Sequence, residues 1–182
     1  MHWNNQPAKG TLLISKPLIG DGFFEQSVVY LTEHNDEGTL GFTLNKESNL
    51  LVKDLVDNFN RDNALMFGGP VEQDALFYLH EEERIPNSAP VGNGLFLGGD
   101  FEVFQKLIQE DQKTPFKAFL GYSGWSPGQL EDEISDGTWV VLHPPFETDI
   151  LTLSKDAWRN YMHTLGGEYR IWANAPEDPW MN

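Results

Sequence analysis

Apolar positions along this chain fall in short runs, most of them four to eight residues long, separated by glycine, proline, asparagine and aspartate. Such runs, rich in β-branched and aromatic residues, predict strands. Gly10–Ser15 reads as the first, closed by Lys16-Pro17. Gly20-Asp21-Gly22 marks a turn before Phe23-Phe24. Ser27–His34 and Gly38–Asn45 follow as two runs joined by a short polar link ending in glycine, a β-hairpin signature. The pattern then changes period. With Ser48 or Asn49 as cap, Leu51, Val52, Leu55, Val56 and Phe59 fall on one face at helical spacing and predict a helix. Leu65–Phe67 and Ala75–His80 return to strand character across Gly68-Gly69-Pro70. Pro86–Asn93 reads as a loop, and Gly94–Leu97 as a further short strand.

Asp100 caps an amphipathic helix with Phe101, Phe104, Leu107 and Ile108 inward. Phe116–Tyr122 is then a strand feeding the most fully specified stretch of the chain, Gly121 to Glu133. There Ser126 predicts an N-cap, Pro127 the first helical position and Gln129 the return bond of a capping box. Trp125 and Leu130 stand at the positions of a hydrophobic staple. Burial of the Trp125 ring would make this stretch scaffold, whereas exposure would make it a binding surface. Thr138–His143 is a buried-looking strand stopped by Pro144-Pro145. Ser154 is placed to cap a last helix carrying Trp158, Tyr161, Met162 and Leu165, ended by Gly166-Gly167. Tyr169–Trp172 reads as a closing strand, and Ala173–Asn182 as a tail.

Strands come first in pairs and later alternate with helices, which predicts an α+β fold with a mixed or strongly bent sheet. No linker-like segment divides the chain, so residues 1–182 form one domain, with a core over about 10–172 and a tail over 173–182. Leu65-Met66-Phe67-Gly68-Gly69 is echoed thirty residues later by Leu95-Phe96-Leu97-Gly98-Gly99, which suggests a reused strand-to-turn device.

Composition alters this picture mainly through charge. Twelve basic against 28 acidic residues give a formal net charge of −16, and the basic residues are scattered. Affinity for a phosphate backbone comes from clustered lysine and arginine, so direct DNA or RNA binding is disfavoured. The chain has no cysteine, which excludes disulfides, thiol catalysis and thiolate metal sites. No apolar run approaches the length of a membrane helix and no signal-peptide pattern opens the chain, which leads us to expect a cytoplasmic protein with no membrane association.

Candidate chemistry is sparse. Gly121-Tyr122-Ser123-Gly124-Trp125 invites comparison with a nucleophile elbow, and a hydrolase would pair Ser123 with His163 or His143. Trp125 stands where the elbow requires its second glycine, so a serine before a turn is the better reading. Gly68-Gly69, Gly98-Gly99 and Pro127-Gly128 match no phosphate-loop pattern. The five histidines lack ligand spacing, and Glu131, Asp132, Glu133 and Asp136 read as a solvated helix face. No catalytic residue, metal ligand or cofactor is expected.

Taken together, Leu13-Ile14-Ser15-Lys16-Pro17, Ser27–Leu31 with Glu33-His34-Asn35, Gly38–Lys46, Phe67–Val71, Leu79-His80 and Gly121–Glu133 resemble the AlgH/YqgE family of bacterial proteins. The likeness runs from about residue 10 to about 166. Glu47 replaces a proline common in the family, and Ser123 an alanine, which weakens any catalytic use of that serine. The resemblance implies a bent, barrel-like sheet flanked by helices, in the bacterial cytoplasm, and a label of transcriptional regulator that reflects an association with alginate control in one branch. The expected function is regulation through a protein partner or small ligand, with Asn45, Lys46, Gly69, Pro70, Tyr122, Trp125, Gln129 and Glu133 as the contact residues.

Overall fold

A two-residue link, Asp36-Glu37, folds β2 (Val28–Asn35) back onto β3 (Gly38–Thr43), the hairpin that the sequence pattern predicts. Around this hairpin the computed structural model, which describes residues 5–17, 22–146 and 148–174, builds one mixed α+β domain. Its other strands are β1 (Leu12–Ser15), β4 (Glu47–Leu51), β5 (Ala64–Phe67), β6 (Val71–His80), β7 (Ala89–Gly92), β8 (Leu95–Leu97), β9 (Phe116–Trp125) and β10 (Trp139–Leu142). The helices are α1 (Phe101–Glu110), α2 (Gln129–Ser135), α3 (Ala157–Leu165) and α4 (Tyr169–Ala173). None of them is long and apolar enough to cross a membrane. The turn residues Gly20-Asp21 and the tail beyond Asn174 lie outside the described residues.

Strand order is β10-β1-β2-β3-β9-β6-β8-β7, with β4 and β5 branching from β9. Among the described residues every pairing is antiparallel except β5 with β9. The sheet ends at β10 and β7 and does not close, so the barrel-like form expected from the resemblance is corrected to an open, branched sheet. The reason lies in β9. Its first half pairs with β6 and β5, and Ser123–Trp125 pair with β3. Between the halves, Gly121 adopts φ +70, where an added Cβ would stand 2.5 Å from the Gly69 carbonyl oxygen. A strand that serves three neighbours branches the sheet, whereas closure needs its two edges to meet.

Burial follows the amphipathic patterns. Trp158, Tyr161 and Met162 of α3 pack on β1, β2 and β10, and the Trp158 Nε1–H donates to the Ser15 carbonyl at 2.8 Å. Phe104 and Ile108 of α1 pack against Tyr78, Phe116 and Ala118. Asp100 caps α1 as predicted, its carboxylate accepting from the Val103 N–H at 3.0 Å. A third cluster joins Leu13, Val29 and Leu31 to Trp125, Leu130, Ile134 and Trp139. Between α1 and β8, His80 is fully buried; its Nε2 bonds the Gly98 carbonyl at 2.8 Å and its Nδ1 accepts from the Glu82 N–H at 3.2 Å. Burial lowers its pKa and keeps the ring neutral.

Several expected elements change identity. The helix predicted from Leu51 to Phe59 is absent. Glu47–Leu51 is instead strand β4, followed by a single 3-10 turn at Val52–Asp54. The Ser48 hydroxyl donates to the Leu65 carbonyl at 2.6 Å, tying β4 to β5 rather than capping a helix. Val52, Val56 and Phe59 are still buried, while Leu55 is 52% exposed. The Pro86–Asn93 loop contains β7, an edge strand that tolerates Pro90. Tyr169–Trp172 is helical, and α3 starts at Ala157 with Ser154 supplying only its carbonyl.

Candidate functional site

The Gly121–Glu133 stretch is built inward. Its helix starts two residues later than predicted because Ser126–Gly128 forms a turn with Gly128 at φ +81, a left-handed position suited to glycine. Only half of the capping box exists: the Gln129 Oε1 accepts from the Ser126 N–H at 3.0 Å. Trp125 is 5% exposed and packs with Leu130 and Ile134. Its indole N–H donates to Glu133 Oε2 at 2.9 Å, and the Trp139 indole N–H donates to the same oxygen at 2.8 Å. Gln129 Nε2 binds the other carboxylate oxygen at 3.0 Å. Trp125, Gln129 and Glu133 therefore form one internally bonded unit that locks α2 onto the sheet.

Gly69 and Ser123 meet at the crossing of the β5–β6 turn with β9. A Cβ on Gly69 would lie 2.0 Å from the Tyr122 carbonyl carbon, so only glycine lets the two backbones touch. Ser123 is fully buried and its hydroxyl donates to the Gly68 carbonyl at 3.0 Å; the same oxygen accepts the Thr43 N–H at 2.8 Å. The hydrolase alternative gains no support from this geometry. The Ser123 proton goes to a backbone carbonyl inside the protein, and His163 sits exposed on α3. Pro70, next to Gly69, is exposed.

Asn45 and Lys46 belong to a different place. Asn45 is buried, its Oδ1 accepting from the Val28 N–H at 2.9 Å and its Nδ2 donating to the Gln26 carbonyl at 2.8 Å. Lys46 Nζ donates to the Glu25 carbonyl. Both line a polar recess of about 510 Å³ with Glu47, Phe67, Lys155 and Asp156. Phe67 is 41% exposed at this recess.

Behind Glu47 lies a group that the sequence reading passed over. Lys117, on β9, is 9% exposed and donates to the Leu153 carbonyl at 2.9 Å. Burial pushes its ammonium down to about 8, against the pull of Glu47 and Asp149. The signal was a lone lysine inside Phe116-Lys117-Ala118-Phe119, a run whose apolar neighbours cover both faces of a central strand. Because the folded pKa lies below the ordinary 10.5, the charge opposes folding at neutral pH, and stability rises as pH climbs from about 8 toward 10.5. Lys117→Met should raise the unfolding free energy by about 1 to 3 kcal/mol at neutral pH and flatten that rise. Urea unfolding at several pH values checks this. A less stable variant would mean that the lysine's bond to Leu153 outweighs its burial.

Tyr122 opens onto a second recess, a groove of about 480 Å³ lying over the paired strands β3 and β9 beside the β2–β3 turn. Its walls include Glu33, Asn35, Glu37 and Thr39, and its other lining comes from Gly38, Leu40, Val71, Tyr122, Gly124, Trp125, Ser126 and Pro127. The hairpin is held in place by His34, whose Nδ1 bonds the Thr39 hydroxyl at 2.7 Å and whose Nε2 lies 3.5 Å from Glu131 of α2. Six of the eight contact residues drawn from the sequence thus divide between two recesses and an internal lock, while Gly69 sits at the backbone crossing with β9 and Pro70 is exposed beside it. Among the described residues, no group of three or more histidine or acidic side chains is arranged to hold a metal ion.

Comparison with known proteins gives one consistent result. A family model described as AlgH-like matches residues 12–170. A UPF0301 protein from Cytophaga hutchinsonii is 39% identical over 179 residues, covering 96% of this chain and 98% of that protein. One from Chlorobaculum parvum is 37% identical over 177 residues, covering 95% of each. Among solved structures, the AlgH protein from Pseudomonas aeruginosa superposes with a TM-score of 0.71 at 27% identity, covering 94% of this chain and 97% of that one. A protein from Corynebacterium diphtheriae shares the fold with a TM-score of 0.79 at 24% identity, covering 96% and 95%.

Proposed function

The chain belongs to the AlgH-like family, and from that premise we propose a regulatory protein that works by binding a protein partner or small ligand, without catalysis and without direct contact to DNA. The observation that carries this reading is the division of labour among the motif residues. Ser123, the one candidate nucleophile of the sequence reading, is spent on an internal bond, whereas Lys46 and Tyr122 line open recesses. The −16 charge supports the exclusion of DNA, since the net charge repels a phosphate backbone. We place the protein in the cytoplasm as a single domain spanning residues 1–182.

Affinity capture from native lysate tests the reading with three proteins: the wild type, a Lys46→Glu variant and a Gly124→Val variant. A partner or ligand retained by the wild type and lost from one of the variants is the expected result. Equal retention by all three, or covalent labelling of the wild type at Ser123 by a fluorophosphonate, would overturn it.

A further inference from the structure

We infer that the groove over Gly124 receives an extended, basic segment of a partner protein. This rests on the partner-binding reading above and names the chemistry of the partner. The groove lies on the face of the paired strands β3 and β9, where Leu40, Val71 and Tyr122 offer apolar contacts to the side chains of an extended peptide. Gly124 is exposed and has no side chain, which leaves a dent beside the half-buried Tyr122 ring. Among the described residues, the charged side chains lining the groove are Glu33 and Glu37, with no lysine or arginine. Charge complementarity therefore selects a lysine- or arginine-bearing occupant. A second copy of this chain, at −16, and a nucleic acid would both be repelled.

The test uses the full chain and a short synthetic peptide alternating lysine and leucine, with a glutamate–leucine counterpart. Fluorescence anisotropy should show binding of the lysine peptide alone, weakening as salt screens the rim. Gly124→Val should fill the dent without disturbing the fold. A Cβ there meets only the edge of the Tyr122 ring, at 3.4 Å, and the backbone lies outside the left-handed region. Both Gly124→Val and the double variant Glu33→Gln/Glu37→Gln should weaken binding about tenfold or more, while Lys106→Gln, on the exposed face of α1, leaves it unchanged. Failure of the lysine peptide to bind, or binding by both groove variants with wild-type affinity, overturns the inference. So does wild-type self-association abolished by Gly124→Val, which would assign the groove to a second copy. If the peptide fails but lysate capture still depends on Lys46, the partner-binding reading stands and only this assignment falls.

Discussion

Gly69→Ala is expected to destabilise this protein more than any other single-methyl change. The added Cβ would stand 2.0 Å from both the carbon and the oxygen of the Tyr122 carbonyl and 2.3 Å from the Ser123 nitrogen. These are backbone atoms in β9, which pairs with β3, β5 and β6, so no rotamer change can relieve the overlap. Gly68, one residue earlier, is similarly confined, with a Cβ position 2.3 Å from the Gly121 oxygen. Ordinary overpacking costs about 1 to 3 kcal/mol, and a clash of this kind should exceed it, at roughly 4 kcal/mol or more. In a domain of this size that lowers the thermal midpoint by roughly 8 to 16 °C. Gly124→Ala, at an open position of the same strand, is the control and should change stability by less than about 0.5 kcal/mol. Equal midpoints for the two variants would show that the β5–β6 turn does not pass against β9 as described.

Trp125→Ala should follow closely, with a loss of about 3 to 5 kcal/mol. The ring stacks on Phe24 with centroids 5.9 Å apart and meets Trp139 edge-on at 6.0 Å. Its removal opens a cavity and takes away one of the two indole donors to Glu133. Trp125→Phe separates the two effects. It keeps most of the volume and loses the hydrogen bond, and should cost about 1 to 2 kcal/mol. A double-mutant cycle of Trp125→Phe with Glu133→Gln should show coupling, because the two side chains share one bond. If chemical denaturation finds Trp125→Ala within about 1 kcal/mol of wild type, the ring is no part of the core and the stretch returns to consideration as a binding surface.

Much of this architecture was legible from residue pattern. Val28–Leu31 and Leu12–Ile14, with consecutive buried residues, read correctly as strands because β-branched and aliphatic runs that short rarely serve another purpose. Asp100 announced α1 through chemistry confined to one turn. The misreadings arose where a distant segment decided the backbone. Leu51–Phe59 carries a helical spacing, yet β5 offered Glu47–Leu51 a ladder, and the apolar residues reached the core from a turn instead. Tyr169–Trp172 was too short for its period to distinguish strand from helix. Ser126, Pro127 and Gln129 formed a sound cap signature, which Gly128 overrode by turning left-handed. The recesses were less legible than the fold. Lys46 and Tyr122, like Phe67 and Glu33, stand in the family motif, but only the topology brings Lys155 and Glu37 to the same recesses. Closure of the sheet into a barrel came from resemblance alone, and the branching at β9 defeats it.

Regulation through the surface grooves, with no chemistry at Ser123, is the proposed mode of action. Replacing the chromosomal copy with Gly124→Val or with Ser123→Ala, each at native expression, tests this most directly through the host proteome. Ser123→Ala removes one buried hydrogen bond, worth about 1 kcal/mol, and should leave the chain folded. The account predicts that Gly124→Val reproduces the proteome change caused by deleting the gene and that Ser123→Ala matches wild type. The opposite assignment, with Ser123→Ala mimicking deletion and Gly124→Val silent, would contradict it.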